Sequence, residues 1–433
     1  MSAISMRATL LPAARVNADD AATRQAARAC TLMVLLSTTV LARFGVNVGG
    51  ESIAVSMAGL CLLVAVLVLT RRAELDIVAL LLYGLVLVAA YASWYFNTSF
   101  GASHRASLSS LLYLFALYLP LVFVQRIRTP ADHEWRWTMR AFGNIALLCA
   151  LAGIAQFFAQ FAIDAPWLID FGPYLPAAIR NSGTYNTAIP VGDLFKSNGF
   201  FLREPSAFSF LMALATIVEL NGDRRWLRIC AFLLALLLTY SGTGVLALLL
   251  GLLFPLGSRT AVRLAAVAVG GAIVIVLLGE ALNLTFTLNR IQEFGSERSS
   301  AYIRYVAPWH IISQSIDSDP WSALFGHGPG SIQRTSQAVQ AFDPTWAKLL
   351  FEYGLIGWVT TVGLVVYALA RSKAPTQIRA VLFFSWLLMG GHLLAPDNVS
   401  TLYVLACMWH PHAVAFESAH AAAANALSDA RNT

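Results

Sequence analysis

The chain has 433 residues, of which 58% are hydrophobic and only 12% are charged, and its mean hydropathy is +0.66. A soluble protein of this length needs far more charged surface, so the composition excludes an ordinary soluble domain and predicts an integral membrane protein. The net charge of +6 comes from basic residues in the loops between apolar segments, and we do not expect nucleic-acid binding.

Apolar segments near the length of about 20 residues that crosses a bilayer recur along most of the chain. They predict an all-α, polytopic membrane protein with about twelve transmembrane helices and a large, partly helical periplasmic loop. The predicted spans are 29–46, 52–70, 77–97, 108–125, 141–163, 200–220, 226–241, 243–257, 263–279, 349–370, 378–395 and 399–416.

Basic residues fall in every second loop, and the positive-inside rule then places both termini in the cytoplasm. The polar tail before the first span is expected to be disordered. The predicted organisation is a cytoplasmic tail (1–28), transmembrane helices one to nine (29–279) with a periplasmic loop at 164–199, a large periplasmic loop (280–348), helices ten to twelve (349–416) and a second cytoplasmic tail (417–433).

Arg203 and Glu204 form a charged pair inside an otherwise apolar run that leads into the sixth predicted span. Charges at the mouth of a bilayer span are costly and usually face a polar cavity, so they indicate a functional site. The alternative is a local ion pair at a helix start, with Pro205 in the first turn, where its missing N–H is harmless.

More arginines stand on the predicted periplasmic side, against the positive-inside tendency. Guanidinium groups pair bidentately with phosphate, so this cluster suits an anionic lipid head group. Its members are Arg180, Arg203, Arg290, Arg298 and Arg304.

Three stretches resemble the polytopic polysaccharide polymerases and O-antigen ligases of the Wzy/WaaL group. The first is Phe200-Phe201-Leu202-Arg203-Glu204-Pro205-Ser206. The second runs from Arg298 through Arg304 and Trp309 to Gly326-His327-Gly328-Pro329-Gly330. The third runs from Asp343-Pro344 through Lys348 to Glu352-Tyr353-Gly354-Leu355-Ile356-Gly357.

The resemblance implies glycosyl transfer at the periplasmic face of a bacterial inner membrane. The donor would be a glycan on undecaprenyl diphosphate and the acceptor a glycan hydroxyl, with a chain-length regulator as a further candidate partner. Arg203, Arg298 and Arg304 match family positions expected to hold the diphosphate, whereas Arg180 and Arg290 are added from topology alone. Arginines can stabilise the leaving diphosphate, so we expect neither a metal nor another cofactor.

The acceptor hydroxyl needs a general base, and the two candidate catalytic residues are Asp343 and Glu204. Asp343 stands where the family pattern has histidine, and a carboxylate is a weaker base unless burial raises its pKa. Asp343 followed by Pro344 also fits a helix N-cap, so both roles stay open. The departure favours a polymerase over a ligase.

Two other functions are the alternatives. An O-antigen ligase would transfer the finished polymer to lipid A-core. A transporter or flippase of lipid-linked sugars should show two similar halves with broken helices at corresponding positions, and no such repeat is visible. The acidic triplet Asp317-Ser318-Asp319 resembles the metal-diphosphate motif of nucleotide-sugar enzymes, but no Rossmann-like strand pattern accompanies it.

Overall fold

The computed structural model describes residues 5–48, 51–100, 106–125, 131–181, 187–192, 194–254, 306–332, 344–389 and 393–409, together with Gly270, Tyr302 and Arg304. Its helices are α1 (Ser5–Ser37), α2 (Val55–Leu69), α3 (Ile77–Ser99), α4 (Leu108–Tyr118), α5 (Ala131–Ala159), α6 (Pro166–Ile169), α7 (Pro205–Asn221), α8 (Trp226–Leu237), α9 (Gly242–Leu253), α10 (Ala307–Ser318), α11 (Ser322–Phe325), α12 (Thr345–Ala370), α13 (Thr376–Leu388) and α14 (Pro396–Leu402). The strands form three antiparallel pairs: β1 (Gly45–Val48) with β2 (Glu51–Ala54), β3 (Ala73–Leu75) with β4 (Phe123–Gln125), and β5 (Pro190–Val191) with β6 (Leu194–Phe195).

The predicted all-helical character is confirmed for the described residues, because the strands are short and few beside the helices. Helix α1 begins at Ser5 and therefore includes most of the polar tail that precedes the first predicted span. Within the part of the chain that the structure describes, three helices are long and apolar enough to cross a membrane: Ile77–Ser99, His133–Ala159 and Thr345–Ala370.

The count of twelve spans is not confirmed. Six further apolar helices are shorter than 18 residues, and the predicted ninth span (263–279) lies outside the described residues apart from Gly270. The fourth predicted span (108–125) is helical only to Tyr118 and continues as a 3₁₀ turn at Leu119–Val122 and then as β4. Pro120 cannot donate a helical hydrogen bond, which favours this change.

Helix α7 lies at the centre of the bundle, and most of its residues are buried. Small residues let its neighbour approach closely: a methyl group added to Gly244 of α9 would lie 2.4 Å from the Ser209 carbonyl oxygen. The Gly244 N–H donates to Ser209 Oγ at 3.1 Å. The N-terminal part of α7 is thereby fixed against the first turn of α9.

A buried ion pair between Arg371 and Asp76 stabilises one end of the bundle. Arg371 Nη1 lies 2.7 Å from Asp76 Oδ2, and these side chains are 5% and 10% exposed. Asp76 also caps α3 by accepting from the Ala79 N–H at 2.9 Å, and it accepts from the Tyr367 hydroxyl. Burial raises the pKa of the Asp76 carboxyl, but the Ala79, Arg371 and Tyr367 contacts outweigh burial and leave the pKa below its ordinary value.

Replacing Asp76 by asparagine is expected to lower the free energy of unfolding by about 3 kcal/mol at neutral pH, because Arg371 loses its buried partner while the cap is kept. The ionised Asp76 stabilises the fold above its unfolded pKa of about 3.9, and this contribution disappears as pH falls through the lowered folded pKa. Thermal unfolding in detergent, measured from pH 7 to pH 3, should therefore show the stabilities of wild type and Asp76→Asn converging at acid pH. A difference in stability that stays constant across this pH range would contradict the prediction. Asp164→Asn, which changes an exposed carboxylate, is the matched control.

Helix α12 is kinked where another segment crosses it. Gly354 has φ 65° and ψ −170°, a conformation that only glycine adopts readily. A methyl group there would lie 2.3 Å from the Leu324 carbonyl carbon, and one at Gly326 would lie 2.4 Å from the Glu352 carbonyl carbon. The His327 N–H donates to the Phe351 carbonyl at 2.8 Å, which holds the two backbones together.

Gly354→Ala is expected to destabilise the protein by about 3 kcal/mol or more, since it adds both backbone strain and a clash with backbone atoms. Gly84→Ala is the matched control, because Gly84 lies in α3 with nothing within 4 Å of the added carbon. Alanine in that helix should stabilise by up to about 1 kcal/mol. Thermal unfolding of the purified variants measures both effects. Similar changes in stability for Gly354→Ala and Gly84→Ala would contradict the packing argument.

Candidate functional site

Arg203 and Glu204 precede the buried helix α7 directly. Glu204 occupies the N-cap position with extended backbone angles (φ −141°, ψ 149°), and Pro205 is the first helical residue. Proline suits that position because its fixed φ is helical and no N–H is lost from the ladder. The sequence therefore places the charged pair at the mouth of the central helix.

Arg203 and Arg43 each donate a hydrogen bond to the backbone next to the other arginine. These two arginines with their two bonds are here called the arginine clamp. Arg203 Nε donates to the Ala42 carbonyl at 2.7 Å, and Arg43 Nε donates to the Leu202 carbonyl at 3.0 Å. Each guanidinium thus binds the carbonyl of the residue that precedes the other arginine. The clamp fixes the segment that follows α1 against the segment that precedes α7.

Each arginine of the clamp also reaches a carboxylate. Arg43 Nη1 lies 2.5 Å from Asp170 Oδ1, and Arg203 Nη2 lies 3.0 Å from Asp397 Oδ2. The Arg43 guanidinium also stacks on the Phe171 ring, with 4.5 Å from its carbon to the ring centroid. Asp397 Oδ1 accepts from the Ser56 hydroxyl. The site therefore combines two guanidinium groups with two carboxylates at one end of the bundle.

Glu204 occupies the N-cap position of α7, but its side chain does not cap the helix. Its side chain makes no capping hydrogen bond to α7, while its Oε2 accepts from the Ser206 hydroxyl at 2.8 Å. Because Asp397 supplies a carboxylate to Arg203, Glu204 is not required as the counter-ion of its neighbour. A half-buried carboxylate held by a hydroxyl can accept a proton from a bound alcohol.

Two of the other predicted arginines lie close to these elements. Arg180 pairs with Phe44 in an antiparallel bridge, and the Asn181 N–H donates to the Arg43 carbonyl at 3.0 Å, so the chain around Arg180 lies against the clamp. Arg304 Nη1 lies 3.5 Å from Thr243 Oγ1 in the first turn of α9, and this turn packs against the N-terminal part of α7.

The remaining predicted site residues lie outside the described residues. These are Asp343, Arg290 and Arg298. In the described part of the third motif, Lys348 Nζ lies 3.8 Å from Glu352 Oε1 in α12, and both side chains are buried. The acidic triplet comprises the last two residues of α10 and its C-cap Asp319, whose Oδ1 accepts from the Trp321 N–H at 3.1 Å.

Asp397, Arg43, Asp170 and Ser56 were not predicted as site residues. Sequence offered signals for two of them: Arg43 lies near the predicted periplasmic end of the first span, and Asp397 lies two residues into a helix that begins at the same end. Arginine and aspartate at the mouths of two spans on one side are candidates for pairing. Asp170 lacked any such signal, because it lies in an irregular segment.

The chemistry that this site supports is the recognition of an anion next to a carboxylate. Arginine donors bind phosphate oxygens bidentately, and the side chain of Arg203 remains 16% exposed at the helix mouth. The Asp397 carboxylate is already engaged by the Arg203 guanidinium and the Ser56 hydroxyl. Among the described carboxylates here, Glu204 suits proton transfer best.

Comparison with known proteins gives one family. The family model of the WcaD colanic acid polymerases matches residues 31–409, which is most of the chain and includes every residue of the arginine clamp. Neither the curated proteins nor the solved structures contain a match.

Proposed function

The chain belongs to the WcaD colanic acid polymerase family, a Wzy-type group of polysaccharide polymerases, and from that premise we propose that it polymerises undecaprenyl-diphosphate-linked oligosaccharide repeat units at the periplasmic face of the inner membrane. Family membership confirms the resemblance to the Wzy/WaaL group and makes the protein a polymerase of the glycosyltransferase type. The proposed product is an exopolysaccharide, and colanic acid is the one that the family description names.

The proposed reaction is a single displacement at the anomeric carbon of the donor glycan. An acceptor hydroxyl on a second lipid-linked repeat unit attacks this carbon, the bond to the diphosphate oxygen breaks, and undecaprenyl diphosphate leaves. The hydroxyl proton passes to Glu204, with Asp343 as the alternative base. Arg203 stabilises the charge that develops on the diphosphate, and no metal is required for that.

The observation that carries this proposal is the fixed position of Arg203 at the mouth of α7. The Ala42 carbonyl and Asp397 hold its guanidinium from two sides. Donors that are oriented before the reaction stabilise a developing charge without reorganising during it. Arg180 and Arg304 lie on neighbouring elements and are proposed to extend the site along the diphosphate, as are Arg298 and Arg290.

Glycan analysis of a deletion strain tests this function. We expect loss of long polymer together with accumulation of single repeat units on undecaprenyl diphosphate, and a plasmid-borne copy should restore the polymer. Long polymer stranded on undecaprenyl diphosphate would instead indicate a ligase. Repeat units confined to the cytoplasmic leaflet would indicate a flippase.

A further inference from the structure

We propose that Asp397 is the resting counter-ion of Arg203 and that the lipid diphosphate displaces it when substrate binds. Asp397 is then a positioning residue that tunes substrate affinity, and it does not take part in the chemistry itself. This inference rests on the proposed function, because it concerns the same arginine.

Asp397 is held in place independently of Arg203. Its Oδ1 accepts from the Ser56 hydroxyl of α2, and its own carbonyl accepts from the Thr401 hydroxyl one turn later in α14. The Ser400 hydroxyl donates to the Ser56 carbonyl at 3.4 Å, which ties the same two helices together. The carboxylate therefore keeps the Ser56 hydroxyl as a partner when Arg203 leaves it, while helix α14 loses one of the contacts that hold it.

The two ion pairs of the site differ in how easily each can open. The Arg43 side chain is only 5% exposed, and besides Asp170 it binds the carbonyls of Leu202 and Ile169. The Arg203 and Asp397 side chains are 16% and 21% exposed, although the pairing nitrogen Arg203 Nη2 is itself covered, so the Arg203 guanidinium is less deeply buried than that of Arg43. The Arg203 pair is the one that a ligand can exchange.

Exchange is favourable because a diphosphate offers more negative charge than one carboxylate and can bind a guanidinium bidentately. The bond from Arg203 Nε to the Ala42 carbonyl can stay in place while a terminal nitrogen changes partner. Before binding, the Asp397 carboxylate competes with the ligand for Arg203. Removing the Asp397 charge therefore removes a competitor.

Binding of undecaprenyl diphosphate to the full chain in nanodiscs tests this exchange. We expect Asp397→Asn, which keeps an acceptor for Ser56, to bind about fivefold more tightly than wild type, the ratio that corresponds to a partly exposed ion pair worth about 1 kcal/mol. The same variant should polymerise with a lower KM and an unchanged kcat, because Asp397 has already left Arg203 in the substrate complex. Asp223→Asn removes an exposed, arginine-paired carboxylate elsewhere and should leave the Kd unchanged.

Unchanged or weaker binding by Asp397→Asn overturns the exchange while leaving the proposed function intact, provided that Arg203→Ala loses binding. Wild-type protein that fails to bind undecaprenyl diphosphate, or Arg203→Ala that binds normally, overturns both. Hydrogen exchange of the wild-type chain gives a second measurement if Asp397→Asn does not fold. Peptides over Pro396–Leu402 should exchange faster when undecaprenyl diphosphate is added, and unchanged or slower exchange contradicts the displacement.

Discussion

Arg203→Ala is expected to abolish long glycan chains while the protein still reaches the membrane. The side chain supplies preoriented donors at the place where the proposed leaving diphosphate gains charge, and removing one such donor typically lowers kcat by about 100-fold to 1000-fold. Arg203→Lys should recover only a small part of the activity, because an ammonium keeps the charge but cannot bind phosphate bidentately. Polymer from a complemented deletion strain, separated on a gel, measures the effect.

Loss of Arg203 also leaves the Asp397 carboxylate without this ion pair, so protein levels must be measured alongside the polymer. The double variant with Asp397→Asn removes both charges and should restore any lost protein without restoring polymer. Arg224→Ala is the matched control, since it removes an exposed arginine from the loop after α7. Normal chain lengths in Arg203→Ala would exclude Arg203 as a diphosphate ligand.

Glu204→Gln is expected to lower kcat by about 100-fold to 10,000-fold, the usual contribution of a general base, with little change in KM. Glutamine keeps an acceptor for the Ser206 hydroxyl, so the local structure is preserved and only the proton acceptor is lost. Rates measured with a synthetic lipid-linked repeat unit, at protein levels matched to wild type, separate kcat from KM.

Asp343→Asn is the companion to this variant, since Asp343 is the alternative base. A small effect for Glu204→Gln together with a large effect for Asp343→Asn would assign the proton to Asp343. A large effect confined to KM in Glu204→Gln would show instead that Glu204 binds the acceptor.

Sequence predicted the helical character and the place of Arg203 because both depend on local pattern. A charged pair followed by Pro205 and an apolar run identifies a helix mouth without knowledge of any other segment. Helix lengths were less predictable, because apolar residues also continue through irregular backbone, as they do after Tyr118. Apolar composition alone cannot distinguish these conformations.

The partners of Arg203 could not be predicted in the same way. The Ala42 carbonyl that it binds lies 161 residues away in the chain, and Asp397 lies in the last described helix before the π-helical turn at Tyr403–Cys407. Such contacts depend on how the helices pack, and hydropathy carries no information about which helix mouths are adjacent. The arginine clamp is therefore a result of the tertiary structure alone.

The most direct test of the proposed polymerase uses the purified full chain with a single undecaprenyl-diphosphate-linked repeat unit as its only substrate. We predict a ladder of lipid-linked products that differ by one repeat unit, with one undecaprenyl diphosphate released for each bond formed and no ladder from Arg203→Ala. Unchanged single repeat units at wild-type protein levels, or a ladder that Arg203→Ala makes equally well, would contradict the account.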